Sequence, residues 1–254
     1  NMVGVGAGLA AYGYKPIVVT FAPFATRRVC DQIAVSVAYA KQNVKIVGTD
    51  PGITAELNGG THMSFEDIAT LRSIPTMTIY DAVDDTQVYQ AIKQIMNTDG
   101  PCYIRMPRKA AQPVYDENYK FALNKADVIT KGNDITIVAS GIMVAESLKA
   151  VLKLKEEGIS AELISANTIK PLDEETILNS IKKTNHIVTC ENHNVIGGLY
   201  SAVSEMLIEK YPLHVDKIAV MDQFGQVGKY SELLNYYHLT SNDIYNVVKK
   251  NLNK

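Results

Sequence analysis

Short apolar runs alternating with amphipathic segments constrain this chain more than any other feature. Ile17–Val19, Val44–Val47, Thr76–Tyr80 and Pro101–Met106 each read as a buried strand bounded by turn residues. Between them, Arg28–Lys41, Asp67–Ile74 and Asp84–Met96 carry apolar residues at helical spacing. Strand–helix alternation predicts a mainly parallel sheet with helices on both faces. Periodicity then lapses over Lys109–Asn124, which holds Pro113, Tyr115 and Tyr119 and reads as an extended linker. The alternation restarts with strands over 135–139, 161–165, 187–190 and 215–221. Helices fall over 143–156, 173–183, 198–210 and 241–252, the last opening on the capping pattern Thr240-Ser241-Asn242-Asp243. The expected fold is α/β in two domains, each a mainly parallel sheet flanked by helices. Residues 1–108 form the first, 109–124 the linker and 125–254 the second.

At 254 residues with 46% hydrophobic and 20% charged residues, the chain can bury an ordinary core. A net charge of -2 gives no electrostatic footing for nucleic acid or an anionic membrane. No apolar run reaches membrane-spanning length, and the opening residues lack the basic-then-apolar pattern expected of a signal peptide. Cys30, Cys102 and Cys190 are scattered and odd in number, which fits buried free thiols in a reducing cytoplasm. There is no glycine-rich dinucleotide fingerprint, no Walker loop, no HExxH and no zinc spacing. Any diphosphate or metal site therefore has to be completed by another chain.

Candidate site residues gather where strands are expected to end. Thr20-Phe21-Ala22-Pro23-Phe24-Ala25-Thr26-Arg27-Arg28 lies at a strand-to-helix turn, and ligands of open α/β sheets collect at such carboxyl ends. The two phenylalanines either stack on a flat heterocycle or seal sheet against helix. His62 follows Gly59-Gly60-Thr61 in a long polar loop, Thr49–Ser64, and is either a surface residue or part of a site. Arg105 and Arg108 close a buried strand, as a phosphate grip or as a salt bridge across the linker. Glu191-Asn192-His193, placed after a strand and before Gly197-Gly198, reads as a turn or interface more than a site.

Taken together, these stretches resemble a known family. Asn1-Met2-Val3-Gly4 through Gly13, Pro16–Arg28, Gly59-Gly60-Thr61-His62, Leu71-Arg72-Ser73-Ile74-Pro75 and Arg105–Arg108 resemble the pyrimidine-binding domain of transketolase. Residues 125–254 resemble its C-terminal domain, notably Ile169-Lys170-Pro171-Leu172 and Glu191-Asn192-His193 with Gly197-Gly198. The likeness is closest to the C-terminal subunit of split transketolases. It is poorer for deoxyxylulose-phosphate synthase and for the β subunits of 2-oxo-acid dehydrogenases.

The resemblance implies thiamine diphosphate, held between this chain and an N-terminal subunit that grips the diphosphate and a Mg2+ or Ca2+ ion, in a dimer of heterodimers. It implies transfer of a two-carbon unit between sugar phosphates. Phe21 and Phe24 would pack on the aminopyrimidine, His62 would contact substrate hydroxyls and move protons, and Arg108 would bind the sugar phosphate. Arg27 would take a cofactor or phosphate role. Asn58 stands where transketolases carry an aspartate that reads a donor hydroxyl. Thr49 replaces a histidine, and Met63 follows His62 where glutamine is common. Family members also place a glutamate and an opening strand before the position of Asn1. The sequence is therefore expected to be a truncated chain, or a subunit lacking its first segment. An inactive fragment serving only assembly is the competing expectation.

Overall fold

The computed structural model describes residues 1–253. The elements are, in order, α1 (Met2–Ala11), β1 (Ile17–Phe21), α2 (Ala22–Ala25), α3 (Cys30–Gln32), β2 (Lys45–Thr49), α4 (Asp67–Arg72), β3 (Thr78–Asp81), α5 (Asp85–Asn97) and β4 (Cys102–Met106). There follow β5 (Asp127–Thr130), β6 (Ile135–Ala139), α6 (Met143–Glu156), β7 (Ala161–Ser165), β8 (Thr168–Lys170), α7 (Glu174–Thr184) and β9 (Ile187–Asn194). The chain closes with α8 (Leu199–Lys210), β10 (Asp216–Val220), α9 (Tyr230–Tyr236) and α10 (Ser241–Leu252).

Two five-stranded sheets result, ordered β1-β2-β4-β3-β8 and β10-β9-β6-β7-β5. Within each, four strands run parallel, as the alternation of strand and helix dictates. The remaining strand of each sheet, β8 or β5, is short, antiparallel and at an edge. Both lie outside the strands read from periodicity. β8 belongs to the second half of the chain yet pairs with β3, so the first sheet is completed from beyond the linker.

Helices form where the sequence caps them. Asp84 accepts a hydrogen bond from the Gln87 N–H at the start of α5, and Thr240 accepts one from Asp243 at the start of α10. At the other end of α5, the buried Lys45 ammonium donates to the carbonyls of Thr98 and Gly100, each at 2.7 Å. The expected helix over 28–41 is not a single α-helix. It breaks into a 3-10 turn at Arg27–Val29, α3, and a π-helical stretch at Ile33–Tyr39 that still buries Ile33 and Val37. Wide turns of this kind absorb extra residues and recur beside functional sites. α1 approaches the first sheet closely at Gly6, where an added Cβ would lie 2.9 Å from Val18 Cγ2.

The main core runs unbroken from Val3, Val18, Ile46 and Leu71 into Val138, Ile164, Ile181 and Leu199. Burying each such side chain is worth about 1.5–3 kcal/mol, so apolar contact alone welds the two sheets. The stretch between β4 and β5 is fastened down. Asp84 accepts from the Val114 and Tyr115 N–H groups, each at 2.8 Å. Tyr115 and Tyr119 stack at 3.9 Å and both donate to Asp127, at 2.7 and 2.5 Å.

Candidate active site

Register places the candidate residues along one edge. Phe21 pairs with Thr49, and Thr49 with Met106, so the carboxyl ends of β1, β2 and β4 line up. Chain leaving those ends converges there. Phe21 and Phe24 flank the tight turn that starts α2, and both rings are only partly buried. His62 comes to them from the loop after β2. Its ring centroid lies 5.1 Å from each phenylalanine, edge-on to both, while the two phenyl rings are 6.1 Å apart at 73°. Such edge-to-face geometry is favourable, at about 0.5–1.5 kcal/mol per pair. Three half-open rings thus form a cushion at the sheet edge, which suits a flat heterocycle better than a sealed interior would.

Guanidinium groups cover two of these rings. Arg108 lies 4.6 Å over Phe21, and Arg28 lies 3.9 Å over Phe24. Arg108 is exposed, but Asp50, only 2% exposed, holds it: the carboxylate accepts from the Arg108 N–H at 2.9 Å and from Nε. Among the described residues, no hydrogen bond engages Arg108 Nη1 or Nη2. Arg27 is not brought to the rings. It pairs with Glu66 at 2.6 Å, and its neighbour Arg28 occupies the ring face instead. Residue type could not separate these two adjacent arginines, because the break in the helix decides which one turns inward.

Asn58 is exposed, and its amide donates to Ala55 C=O at 2.8 Å, closing its own 3-10 turn. Thr49 ends β2 half-buried beside the site. His62 Nδ1 shares a hydrogen bond of 2.9 Å with Thr61 Oγ1, and no described residue bonds Nε2. The glycines before His62 serve close approach, as expected, but to the same chain. A Cβ on Gly60 would lie 2.5 Å from the Gly225 carbonyl oxygen, so the loop after β10 backs the histidine loop. Met63 is buried against Gly225 rather than turned toward the rings.

Beneath the cushion lies a charged knot between the sheets. Arg105, 1% exposed, is no phosphate grip, and it does not form a salt bridge across the linker either: its ion pairs are to Asp67 and Asp81 of the same half. Its Nε donates to Asp67 at 2.8 Å, Nη1 to Asp81 at 3.3 Å and Nη2 to the Asn192 carbonyl at 2.7 Å. Tyr103 adds a bond to Asp67 and Ser140 one to Asp81. Burial pushes the Asp81 carboxyl up. Burial pushes on the Asp67 carboxyl in the same direction, but Arg105 beside it brings the balance below the ordinary carboxylate range.

Glu191, Asn192 and His193 lie inside β9 and are buried, not in a turn after it. Asn192 accepts from the Ile53 N–H at 3.0 Å and donates to Pro51 C=O at 3.1 Å. It fills the space a side chain at Gly52 would need, where φ is +55. The loop that carries Asp50 and His62 is thereby anchored to the second sheet. Glu191 accepts from the Leu199 and Tyr200 N–H groups at the start of α8, and burial raises its carboxyl to about 7. Burial lowers His193 to about 4. The neutral ring donates from Nδ1 to Asn194 C=O and accepts from the Ala69 N–H, so its approaches to Asp67 and Glu191 are not ion pairs. Among the described residues no cluster of three or more His, Cys, Asp or Glu is arranged to hold a metal ion, and no helix is long and apolar enough to cross a membrane.

Comparison with known proteins agrees with this geometry. Residues 1–113 match the transketolase pyrimidine-binding domain and residues 124–244 the transketolase C-terminal domain. The chain is 52% identical to the 6-deoxy-6-sulfo-D-fructose transketolase subunit of Clostridium sp. over 96% of its own length and 76% of that protein. It is 37% identical to an apulose-4-phosphate transketolase subunit of Phocaeicola vulgatus, covering 96% of this chain and 78% of the other. A split-gene transketolase solved as an inactive tetramer superposes with a TM-score of 0.93 at 39% identity, over 100% of this chain and 81% of that one. With its halves in transketolase order and its fold superposing throughout, the chain belongs to the transketolase family.

Proposed function

We propose that this chain is the C-terminal subunit of a two-chain transketolase, and that it works only with an N-terminal subunit. Thiamine diphosphate would lie between the two. The partner would hold its diphosphate through Mg2+ or Ca2+, and this chain would supply the ring cushion of Phe21 and Phe24. The residues present fit that group: two half-open phenyl rings at a sheet edge match a flat pyrimidine, and no phosphate-binding loop or metal cluster competes for it among the described residues. When bound, the cofactor supplies an electron sink for breaking the bond between C2 and C3 of a ketose, so that a two-carbon unit passes to an aldose.

The protein's own part is positional. Phe21 and Phe24 exclude water from one face of the ring. His62, with Nδ1 tied to Thr61 and no described residue bonding Nε2, would hold or pass a proton at a substrate hydroxyl. Arg108 offers Nη1 and Nη2 to the terminal anionic group of a sugar, a phosphate or a sulfonate. Asn58 sits at the loop rim, where it would meet donor hydroxyls, and Arg27, paired with Glu66, steadies the loop edge. Two relatives are named for sugars with such termini, one a sulfonate and one a phosphate. We place the assembly in the cytoplasm as a dimer of heterodimers, in keeping with three free thiols.

The observation that carries this reading is the ring cluster with a guanidinium on each phenyl face. The test is a coupled assay of the reconstituted pair with thiamine diphosphate, Mg2+ and anionic ketose donors. Two-carbon transfer supports the reading. Turnover only on 2-oxo acids would replace it with a dehydrogenase-type subunit. The neighbour solved as an inactive tetramer favours a chain that is silent by itself.

A further inference from the structure

Apolar side chains that the fold leaves in the open adjoin the ring cushion. The loop after β10, residues 221–229, packs on the histidine loop: Gly225 lies against Gly60 and Met63, and Val227 against Gly59. That loop is tied down along its length. Asn194 donates to Asp222 at 3.0 Å, the Tyr237 hydroxyl to the Phe224 carbonyl at 2.8 Å, and the Lys229 N–H to Glu232 at 2.8 Å. Yet Phe224 is 89% exposed, Val227 68% and, on the histidine loop itself, Leu57 67%. Met221 and Ile196 extend the strip, because the Val195 N–H bonds the Val220 carbonyl and brings their two segments side by side. Residues 223–228 carry no charge. An exposed aromatic among uncharged neighbours, on a loop already held in one shape, has the make-up of an interface core. It loses little freedom on docking and gains apolar burial.

We propose that this strip, with Phe224 as its anchor, is the surface on which the N-terminal subunit docks. The inference rests on the reading of this chain as one half of a two-chain transketolase. The strip continues from the cushion through the loop that carries His62, whose ring meets both phenylalanines. A pocket shared by two chains has to be sealed from water at its rim, so the apolar surface beside the rings is covered when the pocket closes. A second copy of this chain does not meet that need. Among the described residues it holds no metal cluster, and its sequence holds no phosphate-binding loop, so it cannot complete the pocket. The occupant is therefore the chain that brings those groups. Phe224 would fill a hollow on that partner, while Val227 and Leu57 keep water away from it.

The test measures association of this chain with an N-terminal transketolase subunit, by sedimentation velocity over a concentration series, with turnover read alongside. Phe224→Ala combined with Val227→Ala should weaken association by at least about thirtyfold. Both side chains lie outside the cores, so the thermal melt of this chain alone should not move. Should it move, Phe224→Gln alone decides, with an expected loss of about tenfold. Turnover of the variant pair should be low when dilute and reach the parental kcat once the N-terminal subunit is in excess, because docking and not chemistry is weakened. Tyr14→Ala removes an exposed aromatic before the amino end of β1, at the opposite edge of the sheet, and should leave association unchanged. Association unmoved by the strip variants, a kcat that stays low at saturation, or an equal loss from Tyr14→Ala overturns the docking strip and leaves the transketolase reading standing. Loss of self-association of this chain without loss of the mixed pair overturns it too, and gives the strip to a second copy. A parent chain that never associates with the N-terminal subunit overturns the two-chain reading itself.

Discussion

Replacing Arg105 by leucine removes the cation on which both sheets converge. Two carboxylates, Asp67 and Asp81, and the Asn192 carbonyl would lose their donor, in a place where Arg105 is 1% exposed and water has no ready access. Breaking a buried pair by deleting one partner costs roughly 3–5 kcal/mol, because the stranded charge keeps its desolvation penalty. At roughly 2–4 °C per kcal/mol for a chain of this length, Tm should fall by roughly 6–20 °C. Circular dichroism melts and urea titrations of the full chain measure this. Adding Asp67→Asn and Asp81→Asn to the leucine variant should recover much of the loss, since neutral partners no longer need a cation. A loss below about 1 kcal/mol, or no recovery in the triple variant, would refute the view that this knot is a committed ion network.

Stability should depend on pH through Glu191 and His193, with opposite signs. Glu191 binds its proton more tightly in the folded protein, up to about 7, so its contribution falls as pH rises from the ordinary glutamate value toward 7. His193, held down to about 4, makes stability rise with pH from there toward its ordinary 6.5. The two largely cancel in the unaltered chain. Glu191→Gln removes the falling branch, so the urea stability of the variant minus that of the parent should climb by about 3 kcal/mol as pH rises through that window; a flat difference contradicts a buried, proton-holding Glu191. Gly52→Ala should cost roughly 2 kcal/mol by equilibrium unfolding, since alanine meets both a positive φ and the Asn192 side chain. Asn192→Ala should cost roughly 1–3 kcal/mol and raise KM more than it lowers kcat, because it frees the loop that carries Asp50 and His62. An unchanged KM there would separate that anchor from substrate binding.

Much of the parallel framework is legible from apolar runs, because a strand buried on both faces must be apolar throughout. The pieces that were not legible are those whose partners are remote in sequence. The three residues of β8 owe their strand to β3, and no local periodicity marks them. α9 follows a polar loop and is set by packing of Leu233 and Leu234, which are buried within the second core. The continuation of β9 through Glu191-Asn192-His193 goes against pattern, since polar residues seldom sit in a central strand. They do so here because the α8 N–H groups, the Pro51–Ile53 turn, and the Ala69 N–H with the Asn194 carbonyl satisfy their side chains. Of the residues that residue type and family likeness single out, Phe21, Phe24, His62 and Arg108 are brought together at the sheet edge, while Arg27 turns to Glu66 and Asn58 bonds its own turn. Arg28 lies in the stretch singled out but could not be told from Arg27, and Asp50 carries no sequence signal. One depends on a broken helix and the other on chain curling back after β4.

The central claim is that this chain holds half of a shared cofactor pocket. Calorimetric titration of thiamine diphosphate with Mg2+ into this chain, into an N-terminal transketolase subunit, and into their mixture tests it most directly. Tight binding is expected only in the mixture, weakened at least about tenfold when Phe21 and Phe24 are both changed to alanine. Equal binding by this chain alone, or a mixture indifferent to the loss of both rings, would contradict it.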